Sequence, residues 1–162
     1  MKIVIAGAGE VGSHLAKMLN NDSNEITVID SRQERLDALS ANTDVITVVG
    51  NPSDIHVLKE AGADHADLFI AVNPSESQDV NIVSAMLAKK LGSKKATARI
   101  NNEEYLHYEY KYIFTEMGID LMSFREIATT LNAWPSAAAT ALNSAMFIPS
   151  SCESSSSLNT AI

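Results

Sequence analysis

Lys2-Ile3-Val4-Ile5-Ala6-Gly7-Ala8-Gly9-Glu10-Val11-Gly12 is the stretch that decides the fold. Five residues of mostly apolar, β-favouring character run straight into a glycine turn. A helical pattern follows, and a second apolar run, Ile26-Thr27-Val28-Ile29, stops at an acid, Asp30. A GxGxxG alone is weak evidence. Strand, glycine turn, helix, strand and terminal acid, in that order and spacing, form a dinucleotide-binding signature. Gly7 permits the tight turn, Gly9 lets the backbone approach a pyrophosphate, and Gly12 lets the helix close onto the sheet. The helix start offers free N–H groups and the positive end of its dipole to an anion, worth about 0.3–1 kcal/mol. Asp30 is placed to accept the ribose hydroxyls of an adenosine. The bland alternative is a purely structural glycine turn that happens to precede an acid.

Working outward, strand-like and helix-like segments alternate up to residue 124. The predicted strands are Ile3 to Gly7, Glu25 to Asp30, Val45 to Val49, Leu68 to Val72, Ala96 to Ile100 and Asp120 to Phe124. Between them, Val11 to Leu19 carries helical spacing at Val11, Leu15, Met18 and Leu19. Arg32 to Ser40 puts Leu36 and Leu39 on one face. Asp54 is read as the cap of a helix that buries Ile55, Leu58 and Ala61 and stops at Gly62. Ser77 to Leu91 ends at Gly92. Glu103 to Met117 carries Leu106, Tyr110, Ile113 and Met117 on one stripe, with Tyr105, Tyr108 and Tyr112 opposite. Six strands with crossover helices predict an α/β, doubly wound (Rossmann) parallel sheet of order 3-2-1-4-5-6. The predicted division is a nucleotide-binding domain over 1–124 and a helix or flexible tail over 125–162. That tail is rich in alanine and serine, Arg125 to Asn132 could start a helix, and Ala137 to Phe147 could form another.

The 162 residues carry a formal net charge of −8, which argues against general nucleic-acid binding. Cys152 is the single cysteine, so neither an internal disulfide nor a cysteine-based zinc site is expected. No apolar run reaches the roughly 18 residues that suggest a membrane span. Ile3 to Ala6 is too short for a secretory h-region. These features read as a soluble, cytoplasmic protein. His14, His56, His65 and His107 are scattered over helix and loop positions and suggest no acid–base pair.

Several blocks beyond the glycine turn resemble the N-terminal nucleotide-binding domains of the RCK/KTN family, and most closely its TrkA-type members. They are Ile29-Asp30-Ser31-Arg32 with Glu34-Arg35-Leu36, Val49-Gly50-Asn51-Pro52-Ser53-Asp54, and Ala61-Gly62-Ala63-Asp64. Ala71-Val72-Asn73-Pro74-Ser75-Glu76 with Asn81, and Ala98-Arg99-Ile100 with Glu104-Tyr105, complete the set. The resemblance implies a regulatory subunit that binds NAD or NADH, or ATP, ADP or another adenine nucleotide. It implies control of a membrane potassium transporter of the Trk type from its cytoplasmic face, at the inner side of the membrane, as a homodimer or higher ring. By the same resemblance Gly7, Ala8, Gly9, Glu10 and Val11 form the phosphate turn and Asp30 holds the ribose. Asn73 and Pro74 then lie across the crevice, and Arg99 reaches the nucleotide from the fifth strand. For Arg99 a surface ion pair is the alternative, and Arg32 could touch the adenine, meet a 2′-phosphate or simply be exposed. Such proteins usually carry a second, ligand-sensing domain, and nothing of that kind is readable after residue 125. No enzymatic role is expected. The competing reading is a short NAD(P)-dependent oxidoreductase, for which the chain offers neither a substrate domain nor a convincing acid–base constellation.

Overall fold

A computed structural model describes residues 1–21, 23–74, 77–123 and 125–127. Its strands are β1 (Lys2–Ala6), β2 (Glu25–Asp30), β3 (Ile46–Val49), β4 (Leu68–Ala71), β5 (Lys95–Ile100) and β6 (Asp120–Ser123). They form one six-stranded sheet of order β3-β2-β1-β4-β5-β6 with every neighbouring pair parallel. This is the doubly wound order predicted from the alternation of segments. Sequence and fold are linked through burial. The middle strands are covered on both faces, so β1 and β4 read as almost unbroken apolar runs and not as an alternating pattern.

The helices are α1 (Glu10–Leu19), α2 (Gln33–Ser40), α3 (Ile55–Glu60), α4 (Gln78–Leu91) and α5 (Tyr108–Glu116). Leu15 and Leu19 of α1 and Leu36 and Leu39 of α2 pack on one face of the sheet, against Ile3, Ile5, Val28 and Ile70. On the other face Leu58 of α3 and Ala85 and Ala88 of α4 meet Val4, Phe69, Ala71, Ala96 and Ala98. Alanine on both sides of that contact allows α4 to lie close to the sheet. The close approach places the polar Asn81, only 1% exposed, beside the ends of β4 and β5.

Two predicted helices differ from the structure. The single helix over Glu103 to Met117 is broken in two. Asn102 caps a short 3-10 turn, Glu103–Leu106, by accepting from the Glu104 N–H, and an extended His107 separates it from α5. The break resets the helical phase. Tyr105, placed by its spacing on the outer stripe, packs on the core with its ring 5.2 Å from that of Phe114. Of the predicted inner stripe, Leu106 packs on the core, but Tyr110, Ile113 and Met117 are each about two-fifths exposed. In α3, Leu58 and Ala61 are buried as expected, but Ile55 is 50% exposed and Asp54 makes no side-chain capping bond. The preceding turn is held instead by the Asn51 side chain, which accepts from the Ser53 N–H.

After β6, Ser123 and Glu126 form a reciprocal capping box. The Glu126 carboxylate accepts from the Ser123 N–H at 2.7 Å, and the Ser123 hydroxyl accepts from the Glu126 N–H at 3.2 Å. Residues 125–127 are helical, and Ile127, three residues past the predicted domain limit, is buried in the α1/α2 core with Met122. The helix predicted over Arg125 to Asn132 lies beyond residue 127 outside the described residues. So does the choice between helix and flexible tail for Ala137 to Phe147.

Burying Ile127 should contribute measurably to stability. Ile127→Ala is expected to cost about 2–5 kcal/mol in urea unfolding, and a loss below about 0.5 kcal/mol would show that the residue does not belong to the core.

At the start of β6, burial pushes the Asp120 carboxyl above its ordinary value, against the opposing pull of Lys111, Lys95 and Lys89. A folded-state value above the unfolded one means that this group's stabilisation is complete in acid, below the unfolded pKa, and is lost as pH rises through the folded pKa. Asp120→Asn should therefore gain stability over the unaltered protein at neutral pH and not at pH values below the carboxylate range. Denaturant unfolding at the two pH values tests this, and an equal difference at both would contradict it.

Candidate functional site

The predicted site residues emerge along one edge of the sheet. Ala6 pairs with Ile29 and with Ala71, and Ala71 pairs with Ala98. One residue further along each strand come Gly7, Asp30, Val72 and Arg99. Backbone bonds extend the ladder to this row: Gly7 N–H to the Ile29 carbonyl at 2.7 Å, Val72 N–H to the Ala6 carbonyl at 2.8 Å, and Gly50 N–H to the Asp30 carbonyl at 3.0 Å. The row lies at the carboxyl ends of parallel strands. The sheet order reverses there between β1 and β4, which is where open α/β sheets bind ligands.

The three glycines of the turn differ in how far the fold requires them. Gly7 has φ +111°, and a side chain there would bring its Cβ to 2.9 Å from the Asn73 nitrogen. At Gly12 a Cβ would strike the Gly7 carbonyl, so α1 could not close on the turn. Gly9 has an ordinary backbone, φ −71°, and a Cβ there would meet only Arg35 Nη1, at 3.6 Å. The fold itself does not need glycine at position 9. Gly9 also caps α1 without any side-chain hydrogen bond, leaving the first-turn amides without a side-chain acceptor. Ala8 is buried, Glu10 is exposed in that first turn, and Val11 packs partly onto the core.

Asp30 is 4% exposed and both of its oxygens are engaged. Oδ2 accepts from the Ala8 N–H at 2.7 Å and Oδ1 from the Arg32 N–H at 2.9 Å. Each carboxylate oxygen keeps a further lone pair, so a ribose hydroxyl can still be accepted. Arg35 Nη1 stands 3.6 Å from Oδ2, and Arg32 Nε stands 3.9 Å from Oδ1. Arg32 is exposed as the residue before α2, whereas the Arg35 side chain is only 30% exposed. Sequence reasoning gives Arg35 no role at the site. Its one signal is its position five residues past Asp30, in the first turn of α2.

Across the turn, Asn81 ties together the ends of two strands. Its Oδ1 accepts from the Asn73 backbone N–H at 2.8 Å and from Asn73 Nδ2 at 3.0 Å. Its Nδ2 donates to the Asn73 carbonyl at 3.3 Å and to the Arg99 carbonyl at 3.0 Å. All four of the amide's hydrogen-bonding positions are used. Asn73 therefore touches the glycine turn because Asn81 holds it there. The available signal for Asn81 is a polar residue within the otherwise small and apolar inner face of α4. The Pro74 carbonyl accepts from the Ser77 N–H at 2.9 Å as the chain turns into α4. Gln78 Oε1 accepts from the Asn101 and Asn102 N–H groups and fixes the segment after β5. Arg99 is half-buried and pairs in register with Met122, whose side chain belongs to the α1/α2 core, so strand alternation directs Arg99 to that face. The glycine turn meets Asp30 on one side and Asn73 on the other, and the Arg99 backbone is tied to Asn73 through Asn81.

The histidines form no pair at this edge. His65 takes part in contacts with Lys2 Nζ at 2.7 Å and Asp64 at 2.6 Å, near the amino ends of the strands, and His14 and His56 are exposed on α1 and α3. Among the described residues, no group of three or more His, Cys, Asp or Glu could hold a metal ion, and no helix is long and apolar enough to cross a membrane.

The TrkA-N domain model matches residues 3–123. Over 117 residues the chain is 39% identical to the Trk system potassium uptake protein TrkA of Haemophilus influenzae, covering 72% of this chain and 25% of that protein. It is 41% identical over 106 residues to a TrkA homolog of Archaeoglobus fulgidus, covering 65% of this chain and 23% of the relative. The chain thus spans about a quarter of the length of these curated relatives. Among solved structures, the TrkA-N domain of the Escherichia coli inner membrane protein ybaL aligns with a TM-score of 0.62 at 23% identity, covering 83% of this chain and 96% of that one. The GsuK channel bound to NAD aligns with a TM-score of 0.61 at 18% identity, covering 80% of this chain and 22% of that one. The matched span takes in the glycine turn, Asp30, Asn73, Asn81 and Arg99, and the chain belongs to the TrkA-N domain family.

Proposed function

We propose that this chain is a nucleotide-sensing regulatory domain of a potassium-uptake system, binding NAD or NADH at the carboxyl edge of the sheet. One observation carries the reading: position 9 is glycine although the fold leaves room for a Cβ there. A pyrophosphate lying against the turn supplies the missing reason, since a side chain would fill its place. The uncapped first turn of α1 and the spare lone pairs of Asp30 suit the same ligand. The negative charge of Asp30 favours a free 2′-hydroxyl over a 2′-phosphate.

Family membership and the names of the TrkA relatives support a role in potassium transport. In this reading the domain sits at the cytoplasmic face of a Trk-type membrane transporter, assembled as a homodimer or larger ring. It acts through conformation and not through catalysis. Nucleotide binding favours one arrangement of the assembly over another, and a differential affinity of about 1–3 kcal/mol between the two states suffices for such coupling. The sensor reading is preferred to an oxidoreductase because the chain belongs to the TrkA-N family and the described residues place no histidine pair beside the glycine turn.

Binding of NADH to two variants tests the site. Gly9→Val is expected to fold with a melting temperature near that of the unaltered protein and to lose NADH binding. Asp30 also braces the turn, and Asp30→Asn keeps one acceptor oxygen but sets an NH2 donor against one of the two backbone N–H groups, so its binding is read beside a melting curve that shows the fold retained. The substitution is expected to weaken binding about ten- to a hundredfold, the scale of a lost charge-assisted bond. Calorimetry giving undiminished affinity for folded Gly9→Val protein would place any nucleotide elsewhere.

A further inference from the structure

Arg35 holds a guanidinium nitrogen, Nη1, that is sealed from solvent and has no hydrogen-bond partner among the described residues. It stands 3.6 Å from Asp30 Oδ2, within ion-pair range but beyond a hydrogen bond, and 3.6 Å from where a Gly9 side chain would begin. A buried donor left without an acceptor is costly and calls for an explanation. The two guanidinium groups around Asp30 divide the carboxylate between them. Arg32, exposed, lies beside Oδ1, whereas Arg35 lies beside Oδ2, the oxygen bonded to the Ala8 N–H of the glycine turn. Arg35 therefore faces the side of Asp30 where the turn is, and its open neighbour is Gly9.

We propose that Arg35 is a phosphate-binding residue, with Nη1 held by Asp30 in position to donate to a phosphate oxygen of a nucleotide seated over Gly9. The inference rests on the nucleotide reading and goes beyond it in naming Arg35 and the group it contacts. A phosphate supplies the acceptor that the buried nitrogen lacks, and a guanidinium suits it better than an ammonium because its planar donors match two oxygens at once. Asp30 keeps its attraction for Arg35 in the complex, because the five donors of the guanidinium can serve a carboxylate and a phosphate together. The consequence is selectivity. Asp30 recognises the ribose that every adenine nucleoside carries, whereas Arg35 recognises only phosphorylated ligands.

The test is competition calorimetry with adenosine, ADP and NADH on the unaltered protein, Arg35→Gln and Arg35→Lys. Arg35→Gln is expected to weaken ADP and NADH about tenfold or more while changing adenosine by less than about twofold, and Arg35→Lys to recover part of the loss. Equal losses for adenosine and ADP would overturn the proposal and assign Arg35 to the shape of the site. Undiminished ADP binding in Arg35→Gln would overturn it outright while leaving the nucleotide reading in place. Failure of the unaltered protein to bind either ADP or NADH would remove both. If Arg35→Gln does not fold, the comparison is made on Arg35→Lys, where ADP must again weaken more than adenosine for the proposal to stand.

Discussion

The hydrogen bond from the Ala8 N–H to the buried carboxylate of Asp30 is the contact on which the rest of the site depends. It joins the loop after the first strand to the end of the second, and so fixes the glycine turn to the sheet edge. Remove the carboxylate and the Ala8 amide loses its acceptor and Arg35 loses the charge beside which it stands. A charge-assisted bond of this kind contributes about 1.5–3 kcal/mol. Its role is chiefly positional: the same carboxylate that braces the turn also faces the crevice. In the proposed reading structure and recognition are therefore coupled through one residue, and a substitution there is expected to affect both.

The opposite wall depends on a neutral counterpart. Asn81 uses its full hydrogen-bonding capacity on Asn73 and on the Arg99 backbone. It reaches them because alanines at Ala71, Ala98, Ala85 and Ala88 bring α4 close to the sheet. A larger side chain in that seam would lift α4 and withdraw the amide from the strand ends. Small residues that look unremarkable in composition thus set how far apart the two walls stand. Asn73 then meets Gly7 so closely that only glycine fits there, which closes the chain of constraints back onto the turn.

Sheet order and the glycine turn are readable in the sequence because they follow from local signals: apolar runs, glycine positions and an acid at a strand end. Where the reading fails, a local pattern is overruled. The segment from Glu103 to Met117 has a continuous helical period, yet the Asn102 cap and the extended His107 divide it and rotate the inward face onto Phe114. Asp54 does stand at the cap position of α3, but its side chain makes no capping bond, and the turn before it is held by Asn51. Within the site, the sequence marks Asp30 as the acid ending the second strand but not as the brace of the turn, since that depends on a partner 22 positions away in the chain. Arg35 and Asn81 carry only faint signals for the same reason: their contacts are made only when α2 and α4 pack.

The most direct measurement of the central claim is a titration of isotope-labelled protein with NADH, followed through backbone amide resonances. The amides of Ala8, Gly9, Glu10, Val11, Arg32 and Asn73 should shift together and saturate with a single affinity, while those near the amino ends of the strands, at Lys2, Asp67 and Lys94, stay in place. Shifts confined to the amino edge, or none at all at saturating NADH, would contradict a nucleotide site at the glycine turn.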